Sequence, residues 1–412
     1  MTKNTVLQER WTSDDSTAAA PALFGKGTSR TLWRDPFATE EQFNRFEINR
    51  ESNMSMLSGL KRLLDQKRNP PKPATESFAG RTILLTGATG GLGLEAAKKL
   101  VGLNVSRLII TARSEEKGQA AKKQIEARLR ASKGTAASNS TEIVPLVLNM
   151  SSFDSIQTFV ETLKSRVQKL DGAILNAGTL QASYVQSADG WEEMLQVNAL
   201  STFLLGLLLL PLLTASAEDN DGNSPTNYKP HLTFVSSGTA WTVSPAKMTV
   251  FMGSETPLED LSSQKHFPPG TFGGQTQYAR TKLVLEYAVR HLAALPSLKG
   301  PDGQPRVIVN TACPGMCKSD LGRQMMTNLI VKLLSWILFT VFARTADQGA
   351  NTFVTALTQG VEAHGEMWKD DRVYEPGPMC ATEEGCKFGD RVWSELLQVM
   401  VKADTRTKLF LS

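Results

Sequence analysis

The sequence predicts an α/β protein in which a parallel sheet carries helices on both of its faces. From residue 81 onward, apolar runs of strand length alternate with amphipathic stretches of helical length. Alternation at this spacing is typical of a doubly wound parallel sheet. A glycine-rich stretch also joins the first of these strands to the first of these helices, and open α/β sheets bind ligands at such turns.

The predicted elements follow one another in a regular order. The predicted strands span residues 82–85, 107–111, 143–148, 173–175, 232–235 and 307–311. The predicted helices span residues 92–103, 115–130, 153–170, 191–213 and 275–295. The polar stretches 131–141 and 217–229 are predicted to be surface loops.

Residues 1–77 are predicted to be an N-terminal extension ahead of a main domain that spans residues 78–412. The extension lacks sustained periodicity, with short helices predicted at 39–48 and 54–66. Its proline-rich stretch 69–73 stops any helix and predicts a linker. The sequence leaves open whether the extension is partly disordered or packs on the main domain.

The composition is that of an ordinary globular protein and gives no argument for a nucleic-acid partner. Of 412 residues, 41% are hydrophobic and 21% are charged. The net charge is +4, and the sequence contains no long run of charges of one sign. Four cysteines are too few for a disulfide framework in a chain of this length. Cys313 and Cys317 lack the partners that would complete a metal site, so we predict reduced thiols and no metal. The first residues show no secretory signal, so we expect a cytoplasmic protein.

Two apolar runs require a check against membrane spans. The run 203–213 is too short, and Pro211 interrupts it. The run 329–343 contains Lys332 and falls short of the ~20 apolar residues that a span needs. Both runs are predicted to be buried or substrate-lining helices, with peripheral membrane contact through the second left as an alternative.

The glycine-rich stretch after the first strand predicts a dinucleotide site. Gly87, Gly91 and Gly93 allow a tight turn and a close approach of the backbone to a pyrophosphate. The helix that follows supplies free N–H groups and a positive dipole to that anion. A lone glycine-rich loop is equally compatible with a simple turn, but this one has the strand-before, helix-after context of a dinucleotide fingerprint.

Tyr278 and Lys282 form a candidate acid/base pair. Residues four apart on a helix share one face, so the two side chains lie one above the other. A free phenol has a pKa near ~10, and an adjacent ammonium favours the phenolate. By itself the spacing is also compatible with a half-buried aromatic residue beside a solvated lysine.

With the glycine loop upstream of this pair, the sequence resembles the short-chain dehydrogenase/reductase family over roughly residues 78–360. Further landmarks of that family occur in the expected order. They are Asn176 in an Asn-Ala-Gly turn, Asn198, Ser237 in a Ser-Ser pair, the Pro314-Gly315 turn, and Ser319 at a position that is usually Thr. Within the family the chain resembles retinol-dehydrogenase-like enzymes and fungal secondary-metabolism reductases, judging by residues 111–114 and 344–349.

The resemblance implies a Rossmann-type fold and assigns a role to each landmark. Tyr278 would donate its proton to a carbonyl oxygen, Lys282 would lower the phenol pKa and bind the nicotinamide ribose, and Ser237 would orient the oxygen. Asn198 would anchor a water of the proton relay. The implied cofactor contacts are Gly87, Gly91, Leu92, Gly93, Arg113, Lys117, Asn149, Asn176, Tyr278, Lys282, Cys317 and Ser319.

The end of the second strand favours NADP(H) over NAD(H). An NAD-binding domain usually places an acidic residue there for the ribose 2′-hydroxyl, whereas this chain has Arg113, with Lys117 one helical turn later. A guanidinium can bind a 2′-phosphate through two hydrogen bonds. Cations are also disfavoured at a helix N-terminus unless an anion sits there. Asn149 stands where many family members have an Asp against the adenine.

Two segments are predicted to recognise the substrate. They are the insert 238–274, between Ser237 and Tyr278, and the lid 316–344 after the Pro-Gly turn. Both are apolar and contain methionine, which favours a bulky hydrophobic substrate such as a polyketide, terpenoid or steroid-like ketone. A dimer interface or plain core packing remains the alternative. The C-terminal part, 361–412, is expected to finish the fold and could wall the pocket.

The leading hypothesis is an NADP(H)-dependent enzyme that interconverts a carbonyl and a secondary alcohol on a hydrophobic secondary metabolite. One alternative is a redox-neutral binding or cyclisation role on the same fold, for which the complete set of Ser237, Tyr278 and Lys282 would have no evident use. Another alternative is a retinoid or lipid dehydrogenase at a membrane surface. Because a fold hosts many substrates, the sequence does not choose among them.

Overall fold

A computed structural model describes residues 56–133, 141–219, 228–318, 321 and 338–410. The predicted helix at 39–48, most of the predicted lid and Ser319 lie outside the described residues. The fold that these residues form is an eight-stranded, mostly parallel sheet with helices on both faces, as predicted.

The strands of the sheet lie in the order β3-β2-β1-β4-β5-β6-β7-β8. They are β1 Thr82–Leu85, β2 Arg107–Ala112, β3 Glu142–Val147, β4 Gly172–Leu175, β5 His231–Val235, β6 Ile308–Ala312, β7 Met367–Lys369 and β8 Arg372–Tyr374. The six predicted strands are confirmed to within one residue at each end. The last two were not predicted, because three-residue strands are too short to show a period.

The described helices cover both faces of this sheet. They are α1 Met56–Arg68, α2 Gly91–Gly102, α3 Glu115–Lys133, α4 Phe153–Lys164, α5 Ser201–Asp219, α6 Pro245–Met252, α7 Pro257–Ser262, α8 Gly273–Ala294, α9 Ala346–Ala356, α10 Pro378–Ala381 and α11 Glu383–Ala403. The predicted loops at 131–141 and 217–229 therefore begin slightly too early, because α3 and α5 run into them.

The strands are continuously apolar because both faces of the sheet are covered. In β1, Ile83 and Leu85 pack into the core that α2, α3 and α9 close, while Leu84 packs into the core on the other face. Leu108 and Ile109 of β2 divide in the same way. Alternation of side chains across a strand therefore produces an unbroken hydrophobic run instead of an apolar/polar pattern.

Helix α5 shows that the apolar run 203–213 is a core element, as predicted. Together with the preceding π-helical turn Gln196–Leu200, it belongs to a helix, 193–218, that is long and apolar enough to cross a membrane, but 83% of its most apolar 18-residue window is buried inside the protein. The expectation that Pro211 interrupts this run is wrong, because the helix continues through it. Pro211 lies on the exposed side, where its missing N–H costs one hydrogen bond while the neighbouring leucines stay buried.

The hairpin of β7 and β8 turns on two aspartates. Lys369 pairs with Arg372, so that Asp370 and Asp371 alone form the loop. Both have positive φ values, 51° and 56°, the conformation that a two-residue hairpin turn requires and that Asp tolerates better than most residues. The C-terminal part thus finishes the sheet, as expected.

Candidate active site

A cavity of about 1840 Å³ opens at the carboxyl ends of the central strands. The sequence places the glycine loop after β1, the Asn-Ala-Gly turn after β4, Ser237 after β5 and the Pro-Gly turn after β6. Because parallel strands end at one edge of the sheet, all four turns meet there, and all four line the cavity. Most of the residues predicted for the site are thereby brought together.

The glycine loop has the geometry of a cradle for a phosphate group. Gly87 and Gly91 have φ values of +69° and +53°, which side chains rarely allow. A Cβ on Gly93 would collide with the Gly87 carbonyl oxygen, so this position must be glycine for α2 to pack on the loop. A Cβ on Gly90 or Gly91 would meet nothing within 4 Å, so the loop faces open cavity. The N-terminus of α2, which begins here, fits a pyrophosphate.

Asn176 supports this loop from below through its side-chain amide. Its side-chain amide donates hydrogen bonds to the carbonyl oxygens of Thr86 (2.9 Å) and Gly87 (3.1 Å). The Thr86 hydroxyl in turn accepts the Ala177 N–H at 3.0 Å. The predicted cofactor residue Asn176 therefore lies at the cavity and acts by fixing the backbone of the glycine loop.

Tyr278 lies in the second turn of α8 beside Ser237, and both line the cavity. A hydrogen bond joins the Ser237 hydroxyl to the phenol. Burial raises the pKa of Tyr278 above its ordinary value, the nearby Cys313 thiol raises it further, and the Ser237 hydrogen bond lowers it. Burial prevails, so the phenol holds its proton at neutral pH. Two hydroxyl groups therefore converge where a substrate oxygen could bind.

Lys282 lies one helical turn from Tyr278 on α8, and its effect on the phenol pKa stays a prediction. The Lys282 ammonium donates to the Val235 carbonyl oxygen at 2.8 Å, and it lies 5.8 Å from the centre of the Tyr278 ring. Burial lowers the pKa of Lys282 itself to about 8, partly opposed by the Glu286 carboxylate and by Cys313. The Val235 carbonyl thus holds Lys282 beside the phenol.

Asn198 is not among the residues that line the cavity, and its role as an anchor for a relay water stays a prediction. It is fully buried in the π-helical turn that precedes α5. Its side-chain oxygen accepts the Thr179 N–H at 2.8 Å, and its amide donates to the Thr179 carbonyl (2.9 Å) and to the Thr281 hydroxyl (3.2 Å). The amide ties the loop after β4 to α8, one residue from Lys282.

Arg113, Lys117 and Asn149 all line the cavity at the edge formed by β2 and β3. Arg113 and Lys117 are exposed, while Glu115 and Glu116 occupy the first turn of α3. These acidic residues complement the helix dipole, so Lys117 at the helix start needs no bound anion to explain it. The prediction of a 2′-phosphate site consequently depends on Arg113 more than on Lys117.

The Pro-Gly turn forms the opposite wall. Gly315 has a φ of +76°, and the Cys317 thiol contacts the Pro314 carbonyl oxygen at 3.4 Å. Cys317 lines the cavity, as predicted, whereas Ser319 lies outside the described residues. The turn presents its backbone to the cavity, and this is how it would contact a nicotinamide ring.

The N-terminal extension forms part of the cavity wall, which its sequence did not predict. Helix α1 lines the same cavity, and a Cβ on Gly315 would overlap the Gln66 side chain. Arg344, which is fully buried, holds this helix in place. Its guanidinium donates to the carbonyl oxygens of Gln66 (2.7 Å) and Asn69 (2.8 Å) and pairs with Asp370 at 2.7 Å.

The stretch that was predicted to be a linker is also anchored. The Asn351 amide donates to the Pro71 carbonyl at 2.8 Å, and the Lys72 N–H donates to the Asp371 carboxylate at 2.9 Å. Lys67 donates to the Thr340 carbonyl as well. Of the two possibilities that the sequence left open for the extension, its described part packs on the main domain. Sequence reasoning missed this because the contacts join residues about 280 positions apart.

Replacing Arg344 by methionine is expected to lower the free energy of unfolding by about 3–5 kcal/mol. The reason is that the half-buried Asp370 carboxylate and the carbonyl oxygens of Gln66, Asn69 and Pro314 lose a fully buried partner. Urea unfolding followed by circular dichroism measures this loss. Arg306→Met is the control, since that guanidinium is half-exposed in its 3.4 Å pair with Glu218 and should cost at most about 1 kcal/mol. Equal losses for the two variants would contradict the assigned role.

One wall of the cavity is aromatic. Trp241 stacks on Tyr374 with ring centres 4.8 Å apart, and Phe272 and Phe339 also line the wall. Within the insert, Met248 and Phe251 are instead buried in the core. The prediction that the whole insert forms an apolar flap is therefore too broad, and for those two residues the core-packing alternative holds.

Comparisons with known proteins agree with this architecture. A family model described as short chain dehydrogenase matches residues 81–223. The chain is 36% identical over 348 residues to the short-chain dehydrogenase/reductase phmF of Phaeosphaeria nodorum, spanning 84% of this chain and 94% of that protein. It is 35% identical over 345 residues to the short-chain dehydrogenase/reductase ffsI of Aspergillus flavipes, spanning 84% and 93%.

A solved structure shows the same fold. The crystal structure of an uncharacterized protein from Mycobacterium paratuberculosis aligns with a TM-score of 0.51 at 20% identity, covering 81% of this chain and 96% of that one. Sequence identity above 30% over most of both chains, together with the glycine loop and the Tyr-Lys helix, decides the family. The chain therefore belongs to the short-chain dehydrogenase/reductase family, and it is an oxidoreductase of the Rossmann fold that works with a nicotinamide cofactor.

Proposed function

We propose that this protein is an NADP(H)-dependent reductase that interconverts a carbonyl and a secondary alcohol on a bulky hydrophobic small molecule. The observation that carries the proposal is the meeting of Ser237, Tyr278 and Lys282 in one cavity with the glycine loop. When bound, the nicotinamide supplies the hydride for reduction or accepts it in the reverse direction. The residues of the chain then have to bind and orient the partners and move one proton.

Tyr278 is the proton donor in this proposal. Because burial keeps the pKa of its phenol high, the group is protonated at neutral pH and can give its proton to an oxygen that gains negative charge. The Ser237 hydroxyl is a second donor to the same oxygen and fixes its position. The Lys282 ammonium, one helical turn from Tyr278, favours the anionic phenolate that proton transfer leaves behind.

NADP(H) is proposed as the cofactor because Arg113 is exposed to the cavity at the end of β2. A guanidinium there can bind a 2′-phosphate with two charge-assisted hydrogen bonds. Gly87, Gly91, Leu92 and Gly93 would hold the pyrophosphate, with Asn149 beside the adenine.

The substrate is proposed to be hydrophobic and larger than a simple ketone, such as an intermediate of secondary metabolism. The cavity exceeds ~1,000 Å³, the upper end for an ordinary small-molecule pocket, so it has room for cofactor and substrate together. Its walls beyond the catalytic residues are aromatic, and α1 closes one side. Aromatic walls of this kind bind apolar rings through buried area and stacking.

The direct test is the oxidation of NADPH by the purified full-length protein with a panel of aliphatic, polycyclic and polyketide-like ketones. We expect turnover with at least one bulky member. Binding of NADPH without turnover of any ketone or alcohol would instead favour the redox-neutral role.

A membrane-surface dehydrogenase is a second candidate that one observation favours. Leu338 and Val341, on either side of cavity-lining Phe339, are exposed to 39% and 43%. Exposed apolar side chains at the mouth of a cavity would suit a substrate that arrives from a bilayer. Flotation with liposomes decides the matter, since a protein that stays at the bottom of the gradient does not dock on membranes.

Replacing Trp241 by alanine is expected to raise KM for a bulky ketone about 10- to 100-fold, since an aromatic wall contributes ~1.5–3 kcal/mol of apolar burial. The kcat/KM for a small ketone that does not reach this wall should change less than about twofold. Steady-state kinetics with both ketones provides the measurement. Trp393→Ala removes the same ring outside the cavity lining and should leave both KM values unchanged, so equal effects of the two variants would contradict the assignment.

A further inference from the structure

Helix α8 carries an unusual row of buried charges. Lys282, Glu286 and Arg290 follow one another at one-turn spacing and are only 4%, 2% and 7% exposed. Lysine, glutamate and arginine are almost never fully buried unless they are paired. The row starts at the active-site lysine and runs away from the cavity, because Lys282 lines the cavity whereas Glu286 and Arg290 do not.

Glu286 lies above the ends of the two strands that also hold the active site. Its carboxylate accepts a hydrogen bond from the Thr311 hydroxyl of β6 at 3.4 Å, and the nearby Ser236 hydroxyl after β5 lowers its pKa. Arg290, one turn further, pairs with Glu366 at 3.1 Å. The carboxylate is therefore flanked by a cation on each side, and these cations and hydroxyl groups oppose the rise in its pKa that burial causes.

The other groups that face Lys282 leave its charge without an anion. Tyr278 is a phenol that holds its proton, the Cys313 thiol follows β6, and the Val235 group that accepts from the ammonium is a neutral carbonyl. Asn198, where a relay water was predicted, has its amide committed to Thr179 and Thr281. Glu286 is the carboxylate that acts on Lys282 in the described part of the chain.

We propose that Glu286 is a positioning residue of the reaction that acts through Lys282, its buried carboxylate keeping the lysine side chain an ammonium at neutral pH. The physical reason is that two opposing effects act on the pKa of Lys282. Burial favours the neutral amine, whereas a carboxylate one helical turn away favours the cation. Without the carboxylate, the lysine would lose the charge that favours a phenolate at Tyr278 and that suits hydroxyl groups of a bound ribose.

The value of the Lys282 pKa makes this balance functional. Burial lowers it to about 8, with the Glu286 carboxylate as the largest opposing influence, so the ammonium prevails at pH 7 by a narrow margin. Removing a nearby opposite charge lowers the pKa of an ammonium. Loss of the Glu286 charge would then lower the Lys282 pKa further and enlarge the fraction of neutral amine at pH 7.

The test measures the titration of Lys282 directly in the full-length, cofactor-free protein. Lysine labelled with ¹³C at the ε carbon gives signals whose shifts follow the protonation of each amine, and Lys282→Arg identifies the signal of Lys282. In wild type we expect a midpoint near 8. In Glu286→Gln, which keeps the shape and removes the charge, we expect the midpoint to fall by about one pH unit or more.

Asp171→Asn is the matched control. This carboxylate is also buried, and it accepts hydrogen bonds from the Thr82 N–H at 2.7 Å and from the Ser216 hydroxyl. It lies just before β4, at the amino ends of the strands and thus away from the cavity. It should leave the Lys282 midpoint unchanged. A Glu286→Gln midpoint within error of wild type would overturn the proposal. If Glu286→Gln does not fold, Glu286→Asp withdraws the charge by one methylene, and its midpoint must still lie below that of wild type.

The kinetic consequence rests on the proposed reductase activity, whereas the titration does not. With an active ketone, the alkaline limb of kcat/KM against pH should move to lower pH in Glu286→Gln by the same amount as the titration midpoint. A uniform loss of activity at every pH, without this displacement, would show a merely structural role and overturn the proposal. A protein that reduces no ketone would refute the proposed function, and the Lys282 titration would still decide the role of Glu286.

Discussion

Replacing Tyr278 by phenylalanine is expected to lower kcat about 10³-fold and to leave the affinity for NADPH nearly unchanged. A positioned general acid contributes about 10²–10⁴-fold, and phenylalanine retains the ring while removing the proton donor. Stopped assays measure kcat, and titration of NADPH fluorescence measures cofactor affinity.

Tyr184→Phe is the control for this experiment. It removes the same atom from a tyrosine that packs edge-on against Phe267 outside the cavity lining, with ring centres 6.0 Å apart. Its kcat should equal that of wild type. Full turnover in Tyr278→Phe would refute the acid/base role, and a parallel loss of NADPH affinity would point to a damaged site.

Replacing Arg113 by aspartate is expected to lower the ratio of kcat/KM for NADPH over NADH about 100-fold. A hydrogen bond to a charged group contributes about 1.5–3 kcal/mol, and this contribution would be lost. The new carboxylate would also repel the 2′-phosphate of NADPH and accept a hydrogen bond from the 2′-hydroxyl of NADH. The effect should fall mainly on KM, because the 2′-phosphate is remote from the reacting atoms. Kinetics with each cofactor at fixed ketone gives the ratio.

Arg128→Asp separates this specific contact from a general change of charge. Arg128 is exposed on α3, the same helix that begins beside Arg113, but it does not line the cavity. The Arg128→Asp variant carries the same change in charge, and its ratio of kcat/KM for NADPH over NADH should stay within about twofold of wild type, as expected for a screened surface charge. An unaltered ratio in Arg113→Asp would show that this residue does not recognise the 2′-phosphate.

The structure assigns a role to the residues ahead of the Rossmann domain that their sequence does not disclose. Helix α1 forms one wall of the cavity, and the buried Arg344 ties it to the Pro-Gly turn and to the hairpin of β7 and β8. A substrate in this cavity would thus contact three parts of the chain that are far apart in sequence. Variation in α1 is accordingly a route to new specificity that leaves Ser237 and Tyr278 untouched.

The sequence by itself determined the sheet, the glycine loop and the Tyr278–Lys282 pair. Each depends on local rules: unbroken apolar runs mark strands buried on both faces, Gly87 and Gly91 are needed where the backbone takes positive φ, and a four-residue spacing places two side chains on one helical face. Because the predicted strands are parallel, their carboxyl ends meet at one edge of the sheet, which brings Ser237 and the Pro-Gly turn together.

Only the tertiary structure decided which group each side chain faces. The contacts of Asn198 with Thr179 and Thr281, of Arg344 with α1, and of Lys282 with the Val235 carbonyl join residues that the sequence separates widely. Burial depends on such long-range packing, and burial sets the pKa values of Tyr278 and Lys282 against the ordinary expectation for an exposed pair. The helical spacing that identifies Lys282 thus also places Glu286 beneath it, but only the packed structure shows that both charges are buried.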